Sequence, residues 1–144
     1  MLFGFCAAGE PSPECDWEVD WSPDGTQLGA HCPHLYVLDI APGEIEDLVP
    51  GDDPSAVDPS WSPDGTKIAH HGAPDGFTPR GILVLDLVAG TTTNLTPGEE
   101  VHKPAWSSDG EYIAYFSGST LMTMRSDGSD KAAVGVGLAE VRAT

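Results

Sequence analysis

Basic residues are scarce in this chain: six Lys and Arg stand against 23 Asp and Glu in 144 residues, a formal charge of −17. A surface so negative repels phosphate backbones and anionic headgroups, which excludes sequence-independent nucleic-acid binding and adsorption to an anionic membrane. No apolar stretch approaches the roughly 20 residues that a spanning helix requires, so no membrane insertion is expected. The opening MLFGFCAAG is apolar but has neither the basic flank nor the length of a secretory signal. Either a targeting segment has been removed or the protein is made as it stands. Cysteine is limited to Cys6, Cys15 and Cys32, an odd number without the CxxC spacing of a zinc site. A GxSxG nucleophile motif and a Gly-rich phosphate loop followed by Lys are both missing, which removes the usual hydrolase and nucleotide chemistries. Nothing calls for a cofactor. Helix-period patterns are missing as well.

What is present is a repeat. WSPDG stands at Trp21 to Gly25 and again at Trp61 to Gly65, and WSSDG stands at Trp106 to Gly110. A period in the low forties corresponds to one four-stranded propeller blade per unit. The flanking blocks recur too: TQLGAHC, TKIAHHG and EYIAYFS follow the turn, then LYVLDI, ILVLDL and the weaker LMTMRS, then EIEDLV, TTTNLT and DKAAVG. Each unit therefore reads strand, tight turn, strand, loop, strand, turn, strand. Gly supplies positive φ in each Asp-Gly turn and the Asp side chain caps it. The four Asp-Gly aspartates, Asp24, Asp64, Asp109 and Asp127, lack the alternating ligands and terminal Glu of a calcium loop, so the turn explains them. The tryptophan before each turn is expected to pack between neighbouring blades, since repeated packing demands an aromatic at one place in every unit.

The run PSWSPDGTKIAHHG followed by GILVLDLVAGTTTNLT resembles the repeat of TolB-type β-propellers. Similar repeats occur in the propeller domains of prolyl oligopeptidase-like and dipeptidyl peptidase-like enzymes, tricorn-type proteases and oligogalacturonate lyases. The resemblance covers residues 17 to about 134 and implies an all-β fold of three four-stranded antiparallel blades. It also implies an extracytoplasmic setting, periplasmic or secreted. Residues 1–16 form an N-terminal segment, with blades at about 17–56, 57–101 and 102–144. The third is the most divergent, with Ser108 for the turn proline and Arg125 where Asp39 and Asp86 stand. Propellers close into rings of about four to eight blades. Three units are half a propeller: either part of a longer one, or a chain that closes a six-bladed ring as a homodimer.

Aligned on the tryptophans, Trp17, Val57 and His102 fall near the start of the innermost strand, which lines the channel in a propeller. The next column, Glu18, Asp58 and Lys103, would place two carboxylates and one ammonium at the channel rim, either as a ligand site or as solvated lining. His31 and His71 share a column with Phe116, a pattern of packing; His70 points to the opposite face from His71, so the two cannot chelate one ion. Loops 50–59, 72–81 and 97–104 vary most and would carry specificity. The longest, HGAPDGFTPRG, offers Phe77 and Arg80 as a contact pair. If Ser22 faces Gly25 across the first turn, counting outward brings Cys15 opposite Cys32, so a cross-strand disulfide stands beside free thiols as an expectation. The function expected is a noncatalytic module that binds a protein or peptide partner through rim and loops, together with self-association. The alternatives are a segment of an enzyme, peptidase-associated or oligogalacturonate-lyase-like and metal-dependent, and a half-propeller that binds only itself.

Overall fold

The computed structural model describes residues 18–31, 35–47, 57–73 and 80–135. They form three four-stranded antiparallel sheets, and no helix occurs among the described residues. Blade one comprises β1 (Glu18–Trp21), β2 (Gln27–His31), β3 (Leu35–Asp39) and β4 (Ile45–Asp47). Blade two comprises β5 (Val57–Trp61), β6 (Lys67–Gly72), β7 (Gly81–Asp86) and β8 (Thr91–Asn94). Blade three comprises β9 (Val101–Trp106), β10 (Tyr112–Ser117), β11 (Thr120–Arg125) and β12 (Ala132–Ala133). Every sheet is a plain meander, as expected for a propeller blade.

The WSPDG turn is wider than a two-residue hairpin. Ser22 donates its N–H to the Gln27 carbonyl at 2.9 Å, and Gln27 N–H returns to the Ser22 hydroxyl at 2.9 Å. Trp21 consequently pairs with Leu28 and Glu18 with His31. The expected register, Ser22 opposite Gly25, does not occur, because the Asp24 carboxylate draws the chain around itself. Its Oδ1 accepts from the Ser22 hydroxyl at 2.7 Å and from the N–H and hydroxyl of Thr26 at 3.0 and 2.8 Å. Gly25 closes the loop with φ of 71°, a conformation that a Cβ strains. The count that set Cys15 against Cys32 starts from a register the sheet lacks; both cysteines lie outside the described residues.

The same device recurs at Asp64 and, with Glu111 in place of the threonine, at Asp109. Where Arg125 replaces the turn-capping Asp86 of blade two, Asp127 takes over by accepting from the N–H and hydroxyl of Ser129.

Packing between blades runs through the repeated tryptophans. Trp61 sits with Leu35 and Val37 of blade one and Ile68 and Leu85 of its own blade. Trp106 packs on a cluster that joins Ala69, Ile82 and Val84 of blade two to Ile113, Tyr115 and Met124 of blade three. Each indole thus leans back on the preceding blade. Trp21, with no blade before it among the described residues, is 55% exposed where Trp61 is 5% exposed.

Two outcomes follow. In dilute solution Trp61→Ala should cost about 3–5 kcal/mol, the usual range for a buried aromatic, and Trp21→Ala much less, read by urea unfolding. The turn hydrogen bonds hold Asp24, Asp64, Asp109 and Asp127 below the ordinary carboxyl value of 3.8: chiefly the Thr26 N–H for Asp24, and the Ser62, Ser107 and Ser129 hydroxyls for the others. A carboxyl depressed in the folded state stabilises above its unfolded value and loses that contribution as pH falls through its folded value. Stability should therefore drop as pH is lowered through and below 3.8, and Asp64→Asn should flatten that slope in thermal melts taken against pH.

Candidate functional site

The first strands of the three blades, β1, β5 and β9, lie side by side, which brings one sequence column together. Glu18 and Asp58 are half-buried and Lys103 is exposed. With Val19, Pro59 and Pro104 they line a cleft of about 300 Å³. The rim column read from the sequence is thus assembled in space.

Its carboxylates also have structural work. Glu18 Oε2 accepts the Asp58 N–H of the next blade at 2.9 Å, and Asp58 Oδ2 accepts the Lys103 N–H at 3.2 Å. A side chain at this position therefore reaches forward to the same position one blade on. The chain accommodates this by placing Asp58 and Lys103 at φ of 58° and 54°. Pro59 and Pro104 follow them; lacking an N–H, each proline interrupts its ladder, and the pairing slips between Val57 and Ser60 and opposite Ala114 to Phe116. Glu18 precedes no proline, and β1 stays regular.

A second column, one residue before each tryptophan, was not singled out in the sequence. Asp20 Oδ2 accepts the Trp61 N–H at 2.8 Å, and the Ser60 hydroxyl accepts the Trp106 N–H at 3.2 Å. The signal was there as an acceptor side chain at one offset in two repeats. The third repeat breaks it, because Ala105 has no acceptor and Lys103 carries only donors.

His102 stacks on Phe116 across the β9–β10 pair, centroids 5.6 Å apart and planes 16° from parallel. That contact gives it a packing role beside the rim, next to half-buried Val57 in the same column. Arg80 is exposed, and its carbonyl accepts from Gly98 N–H at 3.0 Å. Trp17 and Phe77 lie outside the described residues. Among the described residues no three of His, Cys, Asp or Glu gather as a metal cluster.

The connections share an orientation with the rim. Val57 pairs with His71 and His71 with Ile82, so the β4–β5 and β6–β7 connections leave the sheet at the edge where Asp58 stands. The β8–β9 connection returns to the same edge, since Leu83 pairs with Asn94. The Asp-Gly turns that join β1 to β2, β5 to β6 and β9 to β10 lie at the opposite edge. The cleft and the strand ends that carry the variable loops therefore share one edge.

No protein-family model and no curated protein matches the chain. Solved structures do. TolB from Acinetobacter baumannii superposes with a TM-score of 0.66 at 24% identity, over 81% of this chain and 31% of that one. An oligogalacturonate lyase in complex with manganese superposes with a TM-score of 0.66 at 16% identity, over 82% of this chain and 39% of the lyase. The tricorn protease superposes with a TM-score of 0.60 at 14% identity, over 74% of this chain and 13% of the protease. The chain has the TolB-like propeller fold and spans about a third of the length of the first two proteins.

The forward bonds are testable. Asp20→Ala should cost about 1.5–3 kcal/mol, the range for a hydrogen bond to a charged group. Asp20→Asn, which keeps an acceptor oxygen, should cost well under half of that by chemical denaturation.

Proposed function

We propose that this chain is a noncatalytic propeller module that binds a protein or peptide segment at the channel rim. The observation that carries the reading is the cleft of about 300 Å³ in which Glu18, Asp58 and Lys103 converge on the edge that also bears the variable connections. Each rim carboxylate uses one oxygen on the next blade, and its second oxygen is proposed to meet the ligand. Two carboxylates to one ammonium, within a chain of charge −17, favour a segment that presents a Lys or Arg side chain, with Lys103 able to take a neighbouring carboxylate. Arg80 stands at the base of the longest connection as a further contact, with Phe77 proposed beside it, and Trp17 and His102 flank the rim in sequence.

A second reading, a propeller segment of a larger enzyme, is supported by the superposition on the lyase and the tricorn protease over a minor part of each. It predicts thermal stabilisation by manganese or by oligogalacturonate, which the peptide reading does not.

The test uses an array of short synthetic peptides, cationic and anionic, titrated into the full chain and followed by amide NMR shifts. Cationic peptides should move the signals of Glu18, Asp58 and Lys103. Glu18→Gln with Asp58→Asn keeps the acceptor oxygens that hold the blades and removes both charges; it should weaken binding about tenfold, the worth of about 1.4 kcal/mol, with the circular dichroism spectrum kept and only a small fall in melting temperature. Shifts that avoid the rim, or binding indifferent to that double substitution, would overturn the reading.

A further inference from the structure

The two internal interfaces define what a blade presents on each side. The leading side offers the tryptophan with its N–H and the apolar residues that follow it: Trp61, Ile68 and Leu85 in blade two, Trp106, Ile113 and Met124 in blade three. The trailing side offers a small residue under the indole. At Gly29 an added Cβ would come within 2.9 Å of Trp61 Nε1, and Ala69 occupies the same place beneath Trp106. It also offers two apolar residues of the third strand, Leu35 and Val37 in blade one and Ile82 and Val84 in blade two.

Among the described residues, no blade packs on the leading side of blade one. Trp21 and Val19 are exposed, and Leu28, Leu38 and Ile40 hold the positions that are buried or partly buried in blade two. Among the described residues, no blade packs on the trailing side of blade three either. Ala114 lies at the hollow, Leu121 at the place of Leu35 and Ile82, and Thr123 at that of Val37 and Val84; Leu121 is 36% exposed where Leu35 and Ile82 are fully buried, and Ala114 and Thr123 are partly buried. By position in the repeat the two sides correspond to those that pack at the internal interfaces. At the rim they also complement in charge. A side chain in the Glu18 column reaches the same position of the next blade, so Lys103 would reach a Glu18.

We propose that the leading side of blade one docks on the trailing side of blade three in a second copy of this chain, twice by two-fold symmetry, so that two chains close one six-bladed ring. The ring encircles the channel with Glu18, Asp58 and Lys103 from each copy. The closing interfaces resemble the internal ones in packing but lack one bond: Ala105 offers no acceptor to the Trp21 N–H, where Asp20 and Ser60 serve Trp61 and Trp106. Closure is therefore weaker than the internal contacts and reversible. It stands or falls separately from the peptide reading.

Size exclusion coupled to light scattering of the full chain over a wide concentration range tests it. The expected result is a rise from 15.1 kDa toward twice that mass and no further. Trp21→Ala, which alters a residue exposed in the single chain, should abolish the dimer while the circular dichroism spectrum is kept. Ala105→Asp should restore the missing acceptor and tighten each closing interface about tenfold, the worth of a bond to a charged group. A monomer at every concentration overturns the proposal, and one whose Trp21 fluorescence is shielded from quencher assigns the face to residues 1–17 instead. A mass that grows beyond two copies, or a dimer indifferent to both substitutions, overturns it equally.

Discussion

The structure depends on contact between consecutive blades. A four-stranded sheet of this size has two faces and cannot bury either alone, so each blade must be held by its neighbour. The hold runs in both directions at once. An indole from the later blade leans back onto a glycine or alanine of the earlier one, and a carboxylate or hydroxyl from the earlier blade reaches forward to a backbone N–H of the later. The first contribution is apolar area; the second fixes the angle, because a hydrogen bond to a defined N–H tolerates little rotation. Half-buried Glu18, Asp58 and Asp20 are therefore structural acceptors before they are anything else.

This arrangement explains why the rim is polar. The forward bonds require acceptors at the innermost strands, and innermost strands are the ones that border the channel. The polar character of the cleft is in this sense a by-product of blade docking, and any ligand must use the oxygens left over. Only at Lys103, in the third blade, does the column depart from an acceptor.

Much of this was legible in the sequence. The WSPDG copies, their offsets and the apolar blocks behind them gave the number of strands, their order and the interblade place of Trp61 and Trp106. The rim column Glu18, Asp58 and Lys103 also followed from alignment on the tryptophans. Three things did not. The register of β1 on β2 was hidden because the turn is built by side chains: Ser22, Asp24 and Thr26 bind one another and widen the loop beyond the Asp-Gly pair. The forward bonds were hidden because their donors are backbone groups, which no letter in the sequence marks. The fate of Trp21 was hidden because identical letters take their burial from whatever precedes them, and Trp21 and Trp61 differ only in that. His102 illustrates the same limit from another side, since its stack on Phe116 depends on the slipped pairing of β9 with β10.

The central claim is that each blade is clasped to the one before it at the tryptophan amide. Native-state hydrogen exchange in dilute solution reads that amide directly in all three repeats. Slow exchange is expected at the Trp61 and Trp106 N–H groups, which donate to Asp20 and Ser60, and fast exchange at Trp21 N–H. Equal protection at all three, or fast exchange at Trp61, would contradict it.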